Sequence, residues 1–304
     1  VNSTLAQNKG AAASCATGIE AIAIGGNASA VANGTISMGA NSEVLTNGSI
    51  AIGQNATVGA NTHTHNSVSY APVNSIAIGN NTRADGANTT VIGGNARIGV
   101  ATLNTTLIGA NSVASNFSYD AVGIGHGANV TAQSVAIGVR AIAGWTDGVI
   151  NSGFDSVAIG YQANANAFSA TAIGALAKAN TSAVAVGLAA QALSNYSIAT
   201  GFAALSNAEN ATAIGAFTNA SGESAISIGN ASQALANNTI AIGKGNIVGG
   251  ENSGAIGDPS IVNATNSYSV GNNNNLAAGQ NGVFALGNNI TTTTDNSVFL
   301  GSNT

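Results

Sequence analysis

Two histidines in the segment His63-Thr64-His65 have the spacing that most suggests chemistry. In an extended backbone they point to the same side, and imidazole is a common ligand of transition metals. Three copies of the chain would bring six such imidazoles together. No Cys or carboxylate stands close in sequence to complete a ligand set, so the simpler interpretation is a pair of solvated loop histidines. We predict no resident metal and no cofactor.

Catalytic motifs are not evident elsewhere in the chain. The eleven acidic residues are scattered, and no Ser or Thr has a His and an acid at motif spacing, although a fold can unite distant residues. Six Lys and Arg with a net charge of −5 cannot form the basic surface that nucleic acids require. No run of 18 apolar residues predicts a membrane-spanning helix, and Cys15 alone allows no intrachain disulfide. We therefore expect a binding protein and not an enzyme.

Aromatic residues in two irregular segments are the candidates for ligand binding. The first segment, near 59–74, contains Tyr70 as well as the histidines, and the second, near 143–155, contains Trp145 and Phe154. Exposed aromatic side chains often dominate recognition, and loops on a rigid scaffold carry function disproportionately. The competing interpretation is that Trp145 and Phe154 form a small core beneath their own loop. We predict ligand contacts at Tyr70, Trp145 and Phe154.

A ladder of glycines surrounds these segments and must position them. A five-residue phrase, in the order small, branched, Ala, Ile, Gly, recurs along the chain, as in Ser49–Gly53. It closes on nineteen glycines, and eleven of the eighteen intervals between them are 14 residues. We expect each glycine to occupy a turn conformation that other residues resist. These glycines are Gly25, Gly39, Gly53, Gly79, Gly93, Gly109, Gly125, Gly138, Gly160, Gly174, Gly187, Gly201, Gly215, Gly229, Gly243, Gly257, Gly271, Gly287 and Gly301.

The 14-residue interval predicts the fold. It is too short for a helix pair or a propeller blade, but it suffices for two short strands and two turns. The first strand carries the phrase before the glycine, and a weaker second strand follows the glycine, as at Ala28 to Ala30. Repeats of this kind stack on one another as solenoids. The predicted fold is therefore all-β, a parallel β-solenoid with coils of about 14 residues.

Side-chain alternation divides the first strand into two faces. The residue before the glycine is Ile thirteen times, and the residue three before it is usually Ile, Val or Thr, so we expect these positions to line the coil interior. The residue two before the glycine points the other way and is Ala, Ser or Gly in sixteen of nineteen coils. An exposed wall of Ala is a poor surface, so we expect this face to pack against sister chains around a symmetry axis.

The phrase Ser-Val-Ala-Ile-Gly at Ser134–Gly138 and Ser156–Gly160 resembles the head repeat of trimeric autotransporter adhesins of the YadA type. The stretches 257–260 and 266–274 resemble the end of such heads. The similarity covers residues 21–304, with residues 1–20 as an N-terminal cap. It implies a left-handed parallel β-roll, a homotrimer and display on a Gram-negative outer membrane. It also implies a neck, a coiled-coil stalk and a membrane anchor beyond Thr304. No signal-peptide pattern follows Val1, so for an exported protein we expect the signal to have been removed before that residue.

The resemblance implies an adhesin head that binds extracellular-matrix proteins such as collagen, fibronectin or laminin, or a receptor on a host cell. Two other classes of function stay open. A hexapeptide-repeat acyltransferase is also a trimeric solenoid, and His126 would be its catalytic candidate, but three hexapeptides make a coil of about 18 residues. A structural spacer without a ligand, or an ice-binding solenoid, would need only the repeat.

Overall fold

The computed structural model describes the backbone of residues 5–7, 13–59, 63–65, 68–70, 73–99, 101–144 and 154–303. It describes the side chains of the same residues except those of the three short strands at 5–7, 63–65 and 68–70. The chain forms two compact units, Val1–Gln162 and Ala163–Thr304. The described residues of both units contain only strands, turns and irregular segments. No helix in them is long and apolar enough to cross a membrane.

Each coil of the first unit contains one long and one short strand. Each long strand that belongs to the glycine ladder ends at the residue before a repeat glycine, and the next short strand begins four residues after that glycine. The long strands are Leu5–Gln7, Ile22–Ile24, Ile36–Met38, Ile50–Ile52, Ile76–Ile78, Thr90–Ile92, Thr106–Ile108, Val122–Ile124, Val135–Ile137 and Val157–Ile159. The short strands are Cys15–Ala16, Ser29–Ala30, Glu43–Val44, Thr57–Val58, Arg83–Ala84, Arg97–Ile98, Val113–Ala114, Asn129–Val130 and Ile142–Ala143.

The second unit repeats this plan. Its long strands are Thr171–Ile173, Val184–Val186, Ile198–Thr200, Thr212–Ile214, Ile226–Asn230, Ile240–Lys244, Gly254–Ile256, Tyr268–Val270, Phe284–Asn288 and Val298–Ser302. Its short strands are Asn164–Ala165, Lys178–Ala179, Gln191–Ala192, Leu205–Ser206, Asn219–Ala220, Gln233–Ala234, Ile247–Val248, Ile261–Val262 and Asn275–Leu276. Four of the long strands have five residues and continue past the repeat glycine.

Successive coils pair in parallel with the same repeat positions opposite one another. Ile22 lies opposite Ile36, and Ala51 lies opposite Ala77 across a 26-residue interval. The strands on the two sides of this long interval pair in the same register as the other strands, so the additional residues do not interrupt the ladder. Leu5–Gln7 pairs with Ile22–Ile24, so the ladder continues into the first twenty residues. The prediction of a parallel β-solenoid with coils of about 14 residues is confirmed.

The predicted alternation within the long strands is also confirmed, but the assignment of the two faces was wrong. The small residues two before each glycine point into the coil, where Ala23 packs with Ala30 of the adjoining short strand and with Ala28 just before that strand. The Ile and Val residues on either side of them are half-buried or exposed on the outside. Two walls joined by tight turns leave a space that only small side chains fill at native packing density. The large branched residues are therefore excluded from the interior.

Polar side chains in this narrow core are hydrogen-bonded, as burial requires. The hydroxyl of Ser75 donates to the carbonyl of Gly86 at 2.6 Å, and that of Ser253 donates to the carbonyl of Ala264 at 2.8 Å. Asn246 is completely buried, and its Nδ2 donates to the carbonyls of Ile242 and Gly257 at 2.8 and 2.6 Å. Apart from the bond to Ile242, which lies within one coil, these bonds link one coil to the next inside the core.

The turns have a regular backbone geometry. The nineteen repeat glycines have φ between 122° and 143°, a region that L-residues rarely adopt. Two residues later a left-handed residue with φ of about 50–68° completes every turn except that of Pro259, and it is most often Asn, as at Asn27, Asn41 and Asn55. Asn tolerates this conformation better than most residues, because its short polar side chain can bond locally. The Gly and Asn content of the chain is thus a consequence of its turns.

Candidate binding surfaces

The outer face of the long strands is an extended apolar surface in each unit. We define the outer face as the residues one and three before each repeat glycine. In the second unit it includes Ile214 and Ile256, which are 39% and 48% exposed. Because the register is in phase, these residues form two continuous rows along the stacked coils. Contiguous apolar surface of this kind marks an interaction site on a soluble protein.

The outer face becomes aromatic toward the C-terminal end of the second unit. Tyr268 and Phe284 occupy the position where the earlier coils have Ile, Val or Thr, apart from Gly254 in the coil just before, and Leu300 is 65% exposed. An open cleft of about 310 Å³ runs beside them. Its lining residues are Asn266, Tyr268, Gly282, Val283, Phe284, Asn296, Ser297 and Val298. This lining suits an apolar side chain from a partner and contains no acid, His or Cys for catalysis.

The outward side of the short strands has a different character, because it is mainly polar. In the first unit Glu43, Thr57, Arg83 and Arg97 follow one another in adjacent coils. Arg83 forms an ion pair with Asp85, whose side chain is almost fully buried. In the second unit Lys178, Gln191 and several Asn residues occupy the same position. This polar side could contact a ligand through hydrogen bonds.

Asparagine ladders run along the turns. The Nδ2 of Asn27 donates to Asn41 Oδ1 at 3.1 Å, and Asn41 donates to Asn55 in the same way at 3.3 Å. Asn81 donates to Asn95 at 3.3 Å further along the same edge. Each bond joins two coils, so the ladders reinforce the backbone pairing and help to make the edges a rigid support for any loop that leaves them.

The histidine segment forms part of a hairpin that leaves the ladder. His63–His65 pairs in antiparallel fashion with Val68–Tyr70, which places His63 opposite Tyr70 and His65 opposite Val68. The side chains of the predicted residues His63, His65 and Tyr70 lie outside the described residues. Among the side chains that are described, no group of three or more His, Cys, Asp or Glu could hold a metal ion.

The second irregular segment is described only at its ends. Trp145 lies outside the described residues. Phe154 is half-buried, and its carbonyl accepts a hydrogen bond from Ser156 Oγ at 3.5 Å. The polypeptide enters the segment at Gly144 and returns to the ladder at Ser156, so the segment departs from the turn between a short and a long strand.

Comparison with known families decides what these surfaces belong to. The model of the YadA head domain repeat matches residues 16–42, 32–56, 73–96, 152–177, 179–204, 195–218 and 220–246, which together cover more than half of the chain. The chain belongs to the YadA head family. Among solved structures, the collagen-binding domain of the Yersinia adhesin YadA is 22% identical, with a TM-score of 0.30. That match covers 67% of this chain and 83% of the Yersinia chain. No curated protein sequence matches the chain significantly.

This YadA-type head is an adhesin module, and its geometry does not favour the acyltransferase alternative. His126 occupies the first turn position after Gly125, where the other coils have residues of many types, and its Nε2 lies 3.1 Å from Asn111 Nδ2. Both side chains are at the surface of an asparagine ladder. No acid is hydrogen-bonded to the imidazole among the described contacts, so His126 resembles a ladder residue.

Sequence reasoning missed two features of the YadA-type surface. It placed the Ile rows inside, although four inward positions per coil are small, as in Ser49, Ala51, Ala56 and Val58, and this was a readable signal of a narrow core. It also overlooked exposed aromatic residues on the turns, such as Phe202 and Phe217. Their ring centroids lie 4.9 Å apart at an interplanar angle of 89°.

Proposed function

We propose that this head attaches a bacterial cell to a host, by binding an extracellular-matrix protein such as collagen, fibronectin or laminin, or a cell-surface receptor. Membership in the YadA head family supports adhesion as the function. The observation that carries the proposal further is the outer face, whose Ile and Val rows remain half-exposed in coil after coil of each unit. A single copy in water would leave this apolar surface uncovered.

Sister chains would cover the apolar outer face, so the proposed adhesin is a homotrimer with its Ile rows turned toward a common axis. This revises the expectation from sequence, which assigned the contact to the Ala face. Three copies would then present their polar short-strand sides outward. Residues such as Lys178 and Gln191 would be available to ligands, and repeated weak contacts would add through effective concentration. Catalysis has no role in this proposal.

The irregular segments supply the second part of the proposal. Tyr70, Trp145 and Phe154 would give this head its own ligand preference, since they belong to loops that depart from an otherwise uniform repeat. Display on the outer membrane would follow from an anchor C-terminal to Thr304, as the family resemblance implies.

The proposal is tested first by mass and then by binding. Light scattering on the purified chain should give three times the mass of 29.3 kDa. The trimer should then bind saturably to at least one of immobilised collagen, fibronectin and laminin, or to cultured host cells. Saturable binding to none of these surfaces would contradict the adhesin function, whatever the mass.

Two deletions separate the loops from the repeat surface. Replacing residues 60–72 or residues 145–153 by a short Gly-Ser link should keep the trimer, because neither segment belongs to the paired ladder. If the loops bind the ligand, one deletion should reduce binding at least tenfold. Trp145→Ala and Tyr70→Ala then identify the contributing residue, and double substitution of Lys178 and Gln191 by Ala serves as the matched test of the repeat surface.

A further inference from the structure

Four consecutive coils of the second unit carry an apolar ridge on one edge. We call the turn that follows each repeat glycine the glycine edge. In most coils its two exposed positions hold Asn, Gly, Ala or charged residues. Across the coils of Gly174 to Gly215 they instead hold four exposed apolar side chains. These are Leu176, Leu188, Phe202 and Phe217, of which Phe217 is 56% exposed.

The backbone under this ridge is unfavourable for the residues it carries. Leu176 and Phe217 have φ of 60° and 58°, in the left-handed position that Asn fills at Asn41 and Asn273. Bulky side chains are rarely found there, because the left-handed conformation brings Cβ against the following carbonyl. An apolar residue that is both strained and exposed does not stabilise a single copy of the chain. Strained backbone conformations of this kind cluster at functional sites.

The opposite edge is apolar beside two of the four long strands in these coils, and it is polar beside the other two, where it carries Thr181 and Glu209. We call the turn between a short strand and the next long strand the return edge. It carries exposed Phe168, Leu193 and Tyr196, and Tyr196 is also left-handed, with φ of 58°. Phe168 and Leu176 flank the same strand, Thr171–Ile173, just as Tyr196 and Phe202 flank Ile198–Thr200. The two apolar edges therefore lie at the same level of the stack.

C-terminal to these coils the glycine edge becomes polar, at Asn230 and Lys244. The return edge becomes mixed, with Glu223 and Glu251 and the exposed Leu235 between them. Within the second unit the large exposed apolar side chains of the glycine edge are therefore confined to the coils of Gly174 to Gly215. In the first unit Val139 and Tyr161 hold the same edge positions and are also exposed.

The glycine edge is continuous with the outer face. In the five-residue strands Ile226–Asn230 and Ile240–Lys244, the residue after the repeat glycine still belongs to the strand, so alternation puts it on the same side as the Ile rows. Leu188 and Phe202 hold this position in their coils. They add a third apolar row beside the two rows of the outer face.

We propose that these edges form a lateral contact between copies of this chain, in which the glycine edge of one protomer packs on the return edge of the next. A cyclic oligomer joins two different patches of identical subunits, and pure rotation keeps both at one height. Two unlike apolar edges at the same level meet that requirement, whereas an outside ligand would need only one of them. This inference rests on the proposed homotrimer and adds the residues that close its ring.

Cross-linking tests the pairing directly. In a Cys15→Ser background, the double variant Tyr196→Cys/Phe202→Cys is treated with a short bis-maleimide and run on a denaturing gel. The two positions are roughly 20 Å apart within one strand at about 3.3 Å per residue, so they cannot be linked within one copy. We expect covalent dimers and closed trimers, and none from either single variant. A trimer in solution that gives no cross-link, or equal cross-linking of the single variants, would overturn the contact.

A control pair tests whether the two edges meet at the same height along the stack of coils. Tyr196→Cys with Lys244→Cys combines the same return edge with a glycine edge three coils away, roughly 14 Å along the stack at about 4.8 Å per strand. It should give at least tenfold less cross-linked product than the matched pair. Equal yields would mean that the two edges do not meet level with one another, which also contradicts the proposal.

Substitution by Asn tests the strength of the contact without harming the coil. Phe202→Asn/Phe217→Asn installs the residue that other coils use in this turn, so the single chain should keep its strand content. The trimer should dissociate at least tenfold more readily on dilution, while Ala231→Asn in the next turn changes nothing. If dissociation of the trimer is unchanged, the ridge does not form the contact between copies, whether or not binding to matrix proteins is lost. A wild-type trimer that binds no host surface would refute the adhesin function but leave this contact standing.

Discussion

The side chain of Leu107 occupies the space that a side chain on Gly123 would need in the next coil. The two residues are paired across the long strands, and a Cβ atom placed on Gly123 would lie 2.7 Å from Leu107 Cδ2. Leu107 is one of the largest fully buried side chains in the described residues. At this level the narrow core has room for Leu107 because the paired position in the next coil has no side chain.

Gly123→Ala should therefore destabilise the first unit by about 1–3 kcal/mol, the usual cost of overpacking. Leu107→Ala should cost about 2–5 kcal/mol, because it leaves a cavity. The double variant should be less destabilised than the sum of the two single variants by at least about 1 kcal/mol, since the new methyl group enters the vacated space. Chemical denaturation followed by circular dichroism measures all three.

Gly26→Ala is the control for this cycle, because a Cβ there meets nothing within 4 Å. Its effect should stay within about 0.5 kcal/mol. Additive effects of Leu107→Ala and Gly123→Ala would show that the two sites do not share one space.

A second prediction concerns the two faces of the long strands, of which the small-residue face, and not the Ile and Val face, points into the coil. Ala241 is completely buried, whereas the adjacent Ile242 is half-buried on the outer face. Ala241→Leu should lower the unfolding midpoint strongly, because the coil has no space for three more carbon atoms. Ile242→Asn should leave the strand signal of the single chain intact and weaken association instead. Circular dichroism and light scattering on both variants separate the outcomes, and the opposite pattern would restore the assignment made from sequence.

The repeat could be read from sequence because identical positions stack in parallel register, so that the period of the core is the period of the chain. Alternation then divided each long strand into two faces, as Ala51 between Ile50 and Ile52 illustrates. Hydrophobicity alone cannot say which face is inside, since larger apolar residues usually fill cores. Which face lies inside depends on the distance between the long and short strands of a coil. That distance is set only when the coil closes.

The candidate sites were less predictable for a related reason. Tyr70 and Trp145 were chosen because they interrupt a pattern, and their role as ligand contacts stays a prediction. The exposed edge residues Phe202 and Phe217 obey the 14-residue pattern, so nothing in the spacing distinguishes them. They become candidates for a contact only because the structure places them on a turn beside the outer face.

A third prediction concerns the close approach of stacked glycines. Gly215 and Gly301 have similar φ, 126° and 122°. A Cβ on Gly215 would fall onto the carbonyl oxygen of Gly229 in the next coil, whereas a Cβ on Gly301 meets nothing within 4 Å. Gly301→Ala should cost about 1–3 kcal/mol of local backbone strain. Gly215→Ala should add the clash and exceed about 4 kcal/mol. Hydrogen exchange of the flanking strand amides resolves both, and equal losses would show that stacking imposes no constraint beyond φ.

A fourth prediction concerns the buried amide of Asn246, which joins two successive coils. Its Oδ1 accepts a hydrogen bond from the Ser260 amide at 2.8 Å, while its Nδ2 donates to the carbonyls of Ile242 and Gly257. Asn246→Ala removes the bonds that the side chain gives to the Ser260 amide and the Gly257 carbonyl, at about 1–3 kcal/mol for each group that water cannot reach. The Ile242 carbonyl still accepts a hydrogen bond from the Gly257 amide at 3.0 Å. Asn246→Ser should recover part of the loss, because Ser232 at the same position one coil earlier donates to the carbonyl of Gly243 at 2.6 Å.

The order of unfolding midpoints for Asn246 should therefore be wild type, then Ser, then Ala. Asn230→Ala, one coil away on the surface, should change the midpoint little, because its side chain is exposed and replacement there removes no buried bond. If Asn246→Ala were as stable as Asn246→Ser, the amide would contribute only volume. The hydrogen bonds between coils would then be too weak to explain why a polar residue occupies the interior at this position.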